Sequence, residues 1–512
     1  MRQASMRRIA KTLLVVLHYC GPLLISLACA LTIPLLLVLI FGEFHKNLST
    51  LEAFLLPAAL SLFLGILLQR LFTAEPPTRL QSALICSVGW LGFSAIGALP
   101  FVIGIGSTYL DGFFEAMSGF TTTGITMFTG LDEMPKSILF WRALTQWVGG
   151  LGILTMFMLV VFRGGSPHKL FGAEGHKINV DRPVPGLANT IRVLFSMYAG
   201  FTCFIALVLF LLGMGLFDSI CHSFTALSTG GFSPHDASIE YYRLRGYSNY
   251  VWMEYVIILG MLLGGTSFVI HYRVLKGSWR ALFDNIEARY WWSLIGIFVL
   301  LILFERLVRI EPLTATVVDY PGFFHRMEED FRIVLFQVVS ILTTTGFATR
   351  DLNTPFFGEA ARQLFLVMMV IGGCVGSTGG GIKVLRIAIM GKLIRRELYR
   401  LRVPQRAINS VIIDGELIEL DEIQRVGGLF FMWMVLLIFG GGVTEYLSHH
   451  NGYVALSGMF SALGNIGPCY IPVAEMGQLH PAIKMVYILG MLAGRLEIIP
   501  VLLLFSVKAW RS

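Results

Sequence analysis

Long apolar runs separated by short polar stretches cover almost the whole of this 512-residue chain, at 12–41, 52–73, 80–105, 137–162, 190–214, 250–275, 290–310, 360–390, 426–447 and 481–507. A helix of about 20 apolar residues crosses roughly 30 Å of hydrocarbon, so the pattern predicts ten spans and an all-α polytopic membrane protein. Arg7, Arg8 and Lys11 precede the first run as they would a secretory signal. That run is too long for a cleavable core, and a second follows after a short polar hairpin, so it reads as a retained helix.

Between the third and fourth runs, and again between the fifth and sixth, seventh and eighth, and ninth and tenth, lies a segment of about 12 residues that is too short to cross. Each ends alike: Thr121-Thr122-Thr123-Gly124, Ser228-Thr229-Gly230-Gly231, Thr343-Thr344-Thr345-Gly346 and Gly464-Asn465-Ile466-Gly467. Six residues before the closing glycine stand Ser118, Thr225, Ser340 and Ser461, and four before it Phe120, Leu227, Leu342 and Leu463. Thirteen before it, Asp111 and Asp218 suit a helix start, where a carboxylate can accept free backbone N–H groups; the other copies have Ile333 and Val454. The chain therefore divides into two extra N-terminal transmembrane helices (1–79) and four membrane–pore–membrane repeats (80–162, 190–275, 288–392 and 425–508). Four such units around an axis make a pseudo-symmetric pore, with each short segment a re-entrant pore helix tolerated at membrane depth because protein surrounds it.

A pore that selects a dehydrated cation needs carbonyl oxygens in place of its water shell, and they converge only if the backbone takes unusual dihedrals. Glycine reaches these without a Cβ penalty, and neighbouring hydroxyls can tie the strand to its helix. The candidate filter is thus Thr122, Thr123, Gly124, Thr229, Gly230, Gly231, Thr344, Thr345, Gly346, Asn465, Ile466 and Gly467. One Thr-Thr-Thr-Gly alone would read as a polar turn; four equivalently placed copies carry the argument.

Two further features lie at membrane depth. The run Gly372-Gly373-Cys374-Val375-Gly376-Ser377-Thr378-Gly379-Gly380-Gly381 precedes Lys383 and interrupts the eighth span. So many glycines weaken a helix by up to about 1 kcal/mol each, which predicts a broken span with a flexible loop, either obstructing the conduction path or serving close helix packing. Arg495 sits in the middle of the last span, about 20 Å along it at 1.5 Å per residue. A central arginine costs roughly 2.5–3.5 kcal/mol on insertion scales, so it faces water or protein: a fixed charge below the filter, or a partner for an acid. Glu497 is a poor partner, because residues two apart do not share a helix face. The candidate gate is Gly376, Ser377, Thr378, Gly379, Gly380, Gly381, Lys383 and Arg495.

Composition agrees: 55% hydrophobic and 14% charged residues, with a mean hydropathy of +0.72, leave too little polar surface for soluble domains of this length. The basic residues Arg2, Arg7, Arg8, Lys11, Arg70, Arg79, Arg163, Lys169, Lys177, Arg182, Arg273, Lys276, Arg280, Lys392, Arg395, Arg396, Arg400, Arg402, Arg406, Lys508 and Arg511 all fall on one side of ten alternating spans. The positive-inside rule makes that side, with both termini, cytoplasmic. The other side carries Glu43, Asp132, Glu133, Asp236, Glu240, Glu311, Asp319, Glu328, Glu329 and Asp330, a field that attracts cations. The net charge of +7 thus reflects topology, and no nucleic-acid partner is expected. Trp291-Trp292 fits an interfacial belt. Seven scattered cysteines without a CxxC pair imply neither a disulfide framework nor a metal site. The absence of HExxH, Walker A, GxSxG and paired intramembrane carboxylates argues against an enzyme and against a cofactor in this chain.

From about residue 80 onward, the four filter motifs, the broken glycine span and Ala493-Gly494-Arg495-Leu496-Glu497 resemble the Trk/Ktr/HKT superfamily of cation transporters. The two extra N-terminal spans are like its bacterial TrkH/TrkG branch. The resemblance implies potassium as substrate, taken up across the bacterial inner membrane through a filter shaped by Gly124, Gly231, Gly346 and Gly467. It also implies that the loop at 372–381 and Arg495 restrict flow below the filter. It implies a homodimer resting on a cytosolic, nucleotide-binding TrkA-type subunit, which the basic stretches 163–192 and 392–425 could meet. Sodium-preferring relatives carry serine at the first filter glycine, where this chain has Gly124; a sodium-coupled or sodium-conducting relative is the alternative. Symport with protons or sodium would need residues the sequence does not identify, and membrane potential alone supplies about 2.3 kcal/mol per charge per 100 mV. Cys469 after Gly467-Pro468 and the stretch 176–186 depart from the family pattern.

Overall fold

A computed structural model describes residues 2–45, 48–72, 75–152, 187–310, 320–402, 404 and 411–511. Among these, six stretches of helix are long and apolar enough to cross a membrane: Arg8–Ile40, Ser49–Leu71, Leu80–Ile105, Asn189–Leu211, Ile286–Val308 and Leu420–Leu447. The first two are the N-terminal pair, and each of the others is the first span of a repeat. The N-terminal pair cross where Gly21 and Gly65 meet: a Cβ on either would lie 2.9 Å from the other's carbonyl oxygen, the close backbone approach small residues permit.

The second span of every repeat is interrupted, whereas the sequence, through its glycine run, predicts a break in the third repeat alone. In the first repeat, helix Lys136–Trp147 passes into a π-turn at Val148–Gly152. The second repeat bends by 107° between Tyr250–Gly265 and Phe268–Leu275. In the third, Glu359–Val370 and Val384–Arg400 flank the glycine-rich loop. In the fourth, Pro481–Leu496 stops at Glu497 and Ile498, both with positive φ, before Ile499–Leu504. The sequence carried a signal for this: glycines recur at the breaks, as Gly149-Gly150, Gly264-Gly265, Gly372-Gly373 and Gly494. The remainder of the run at 137–162, the bases Arg163, Lys169, Lys177, Arg182 and Arg406, and the acids Glu311 and Asp319 lie outside the described residues.

The pore helices are Tyr109–Phe120, Leu216–Leu227, Tyr320–Leu342 and Gly452–Gly464. The third is nearly twice the expected length, because its first turns contain the polar run His325-Arg326-Met327-Glu328-Glu329-Asp330, a helix extension that needs no hydrocarbon around it. Asp111 and Asp218 do not cap their helices. Thr108 accepts the Asp111 N–H at 3.2 Å, which frees the Asp111 carboxylate to pair with Lys484 of the fourth repeat at 2.5 Å; Asp218 accepts from His235 and Tyr242. Trp291 is fully buried rather than interfacial, since adjacent residues on a helix point about 100° apart and only one can face out. Beyond the helices there is a two-residue antiparallel ribbon, Ile412–Ile413 with Glu416–Leu417. Two main apolar clusters form the core: one joins the N-terminal helices to the first and fourth repeats, and the other joins the second and third.

Candidate functional site

All four pore helices end in the same cap. Two residues before each closing glycine, the N–H of Thr122, Thr229, Thr344 and Asn465 bonds back three residues, to Gly119, Ala226, Ile341 and Ala462. The next N–H, of Thr123, Gly230, Thr345 and Ile466, bonds back five, to the carbonyls of Ser118, Thr225, Ser340 and Ser461 at 2.8–3.0 Å. This is the Schellman arrangement, whose left-handed residue is ordinarily glycine. Here that residue is Thr122, Thr229, Thr344 or Asn465, with φ of 51°, 53°, 58° and 55°. Threonine is β-branched and rarely tolerates this conformation, so three quarters hold the same strained turn against its intrinsic preference.

The strands beyond these caps close into a ring. A Cβ placed on Gly124 would lie 2.2 Å from the Gly230 carbonyl oxygen, one on Gly231 2.0 Å from that of Thr345, one on Gly346 2.0 Å from that of Ile466, and one on Gly467 3.0 Å from that of Thr123. Each repeat thus abuts the next, and the fourth returns to the first. All four glycines have positive φ, from 77° to 106°, and all line one cavity of about 340 Å³ on the side where the pore helices begin. Such a ring of backbone dipoles can take the place of water around a monovalent cation without offering an ionisable group.

Side chains hold the ring from behind. Ser340 donates to Phe347 O at 2.6 Å, and Ser461 donates to Gly467 O at 2.8 Å while accepting its N–H. Thr225 bonds back into its own helix, to Cys221 O, and Ser118 Oγ has no hydrogen-bond partner among the described residues. The Thr121–Thr123 and Thr343–Thr345 hydroxyl pairs meet at 2.7 Å, whereas Asn465 Nδ2 reaches across to Thr123 Oγ1 and to Met491 O. Sequence reasoning missed Gln146: its amide donates to Gly230 O at 2.6 Å and accepts from Phe232 N at 2.9 Å, so it brackets Gly231. It also missed Arg142, buried with Glu115 at 2.8 Å, donating to Ser233 O and lying over the Phe232 ring. Sequence separations of 84 and 91 residues left no local signal for either, although an arginine inside an apolar run invites a search for a partner.

Below the ring, in the direction the second helices run, the breaks are pressed against the caps. A Cβ on Gly149, Gly264 or Gly494 would come within 2.5 Å of the carbonyl oxygens of Phe120, Leu227 and Leu463 respectively. The third repeat differs: its loop fills the space. Thr378 donates to Leu227 O and Gly264 O at 3.0 Å and accepts from Thr229 Oγ1. The Gly380 N–H reaches Thr344 Oγ1 at 2.8 Å, Lys383 Nζ holds Gly379 O, and a Cβ on Gly380 would strike Asn465. Arg495 closes the arrangement, with its guanidinium donating to Thr378 O at 2.5 Å and to Gly149 O and Gly150 O at 2.7 Å. These hydrogen bonds hold the loop, hereafter the plug, in place beneath the ring. Residues 378–381 are buried against the ring, whereas Gly376 is exposed and Ser377 partly so, both in the turn bonded to Cys374 and Phe268.

At the opposite mouth, His235 lies between Asp132 and Asp218 at 2.5 and 3.1 Å. Burial alone would lower its pKa, but hydrogen bonds and charge attraction from Asp218 and Asp132 hold it above the ordinary histidine value.

Comparison with known proteins converges. The model of the TrkH family, described as "Cation transport protein", matches residues 58–511. The chain is 33% identical over 449 residues to the Trk system potassium uptake protein TrkH of Salmonella typhimurium, covering 84% of this chain and 86% of that one. It is 31% identical over 520 residues to the protein of the same description from Halomonas elongata, covering 98% and 100%. The crystal structure of the potassium transporter TrkH from Vibrio parahaemolyticus superimposes with a TM-score of 0.81 at 29% identity, covering 97% and 99% of the two chains.

Proposed function

Because this chain belongs to the TrkH family of cation transport proteins, we propose that it carries potassium into a bacterial cell through its fourfold ring, with flow limited by the plug below. The observation that carries the reading is the closed circuit of glycine-to-carbonyl contacts from Gly124 to Gly230, Gly231 to Thr345, Gly346 to Ile466 and Gly467 to Thr123. Thr122, Thr123, Gly124, Thr229, Gly230, Gly231, Thr344, Thr345, Gly346, Asn465, Ile466 and Gly467 form the filter in this reading; main-chain oxygens replace the ion's water and the caps fix where they point.

Residues 376–381, Lys383 and Arg495 then form the gate. A guanidinium about 10 Å from a passing cation opposes it by roughly 1.7 kcal/mol at an effective dielectric near 20. The acidic groups lining the outer cavity, Asp236, Glu240 and Asp351, raise the local cation concentration. The protein sits in the bacterial inner membrane with both termini cytoplasmic, works as a homodimer, and docks a TrkA-type regulatory subunit on its basic face. The exposed Arg395, Arg400 and Arg402 at the end of helix Val384–Arg400 support that docking face. Catalysis has no part in this reading.

The test is uptake in a bacterium lacking its own potassium transport, with Gly346→Ser as control. Growth on limiting potassium that the control loses is the expected result. Flux that follows sodium instead of potassium in proteoliposomes would replace the substrate, and no cation flux at all would end the proposal.

A further inference from the structure

The helix that carries Arg495 ends abruptly. Glu497 and Ile498, consecutive non-glycine residues, have φ of 63° and 64°, and Ile498 pairs that φ with a ψ of −53°. A β-branched residue does not choose this conformation, so the surroundings impose it. Two short bonds frame the joint, Ile498 N to Ala493 O at 2.8 Å and Ile499 N to Glu497 O at 2.7 Å.

What holds the joint comes from another repeat. The Glu497 carboxylate accepts from Arg386 at 2.5 Å, with the two side chains 10% and 6% exposed. Arg386 lies in the first turn of Val384–Arg400, directly after the plug, and its N–H bonds to Lys383 O. One ion pair therefore fastens the base of the plug to the turn that aims Arg495, and Arg495 itself bonds the plug at Thr378 O. A cavity of about 20 Å³ adjoins the pair, lined among others by Arg386, Glu497, Ile498, Gly494 and Trp433. The same helix runs on to the exposed Arg395 and Arg400.

We propose that Arg386 and Glu497 are positioning residues for the constriction: their ion pair holds the strained 497–498 joint, and with it Arg495, in the flow-restricting position. This rests on the proposed role of Arg495 and the plug. A buried ion pair is strongly sensitive to loss of one partner, and a bistable gate responds in proportion to the difference it creates between states.

The test is rubidium uptake into proteoliposomes holding the full-length protein, with the rubidium-to-sodium preference measured in parallel. R386Q and E497Q should each raise basal uptake about tenfold or more with preference unchanged, because the filter is untouched. The charge exchange R386E/E497R should return uptake to within about twofold of the parent. Unchanged uptake in both single variants while R495A raises it would overturn the clamp and leave the gate reading standing. Loss of ion preference alongside increased uptake would also overturn it, since the damage would then reach the filter, as would a double variant as leaky as the singles. Unchanged uptake in R495A would remove the gate reading, and the clamp with it.

Discussion

The ring and the plug are adjacent and built on opposite principles. The ring uses four copies of one backbone device, the left-handed cap at Thr122, Thr229, Thr344 and Asn465 followed by a positive-φ glycine, and its inner contacts are glycine against carbonyl. The plug is made once: residues 371–383 come from the third repeat, Arg495 from the fourth, and the carbonyls of Gly149 and Gly150 from the first. Substitution in the repeated part should therefore impair potassium passage or its preference over other ions, whereas substitution in the unique part should raise flux with preference intact.

The largest expected effect is in the ring. A serine side chain at Gly346 would place its Cβ 2.0 Å from Ile466 O on a backbone with φ of 87°, and potassium uptake should fall about a hundredfold or more. Retained uptake with normal selectivity in Gly346→Ser would break the comparison at its stronger half. In the plug the sign reverses: Arg495→Ala, or deletion of 376–381, should raise cation flux more than about tenfold by removing the local charge or the obstruction, with the potassium preference intact. A deletion variant that folds and conducts no better than its parent would remove the plug's role.

The boundary between the two can be sharpened at Gln146, whose amide serves the ring from outside it. Gln146→Leu leaves Gly230 O and Phe232 N without their partner, at about 1–3 kcal/mol for buried groups. A several-fold loss of potassium-over-sodium preference without increased leak is expected; increased leak alone would assign Gln146 to the plug. The smallest effect belongs to the outer mouth. The raised pKa of His235 means its protonated form stabilises the fold, a contribution present below the ordinary histidine value of about 6.5 and lost as pH rises through the elevated one. The thermal-stability advantage of the parent over His235→Gln should accordingly be present at about pH 6 and shrink as pH is raised above the ordinary histidine value; an advantage that grows with pH would contradict the Asp132 and Asp218 pairing.

The ring was legible in the sequence because its requirement is local: glycine at fixed positions, with a hydroxyl six residues earlier, survives divergence that erased the Asp111 and Asp218 position from the other copies. The left-handed threonines were not, since threonine's own preference points away from that conformation and only the surrounding cap overrides it. The breaks in the second spans were written in Gly149-Gly150, Gly264-Gly265 and Gly494, yet hydropathy, which registers length and apolarity, passes over them. Gln146, Arg142 and the Arg386–Glu497 pair act across 84 to 111 residues of chain, where one sequence offers no periodicity to follow. Helix-face geometry sets Glu497 aside as a partner for Arg495, but it lies just past the helix end, and its carboxylate pairs with Arg386 of a different repeat.

Fusing four quarters into one polypeptide has a consequence that assembly from identical subunits would forbid. A tetramer of equal chains must repeat every feature four times, so an obstruction from one subunit would be accompanied by three more competing for the same axis. Here the aperture keeps near-equivalence while one loop and Arg495 lie beneath it, each encoded at a single address. Division of labour between quarters is available only because covalent linkage fixes which neighbour stands beside which.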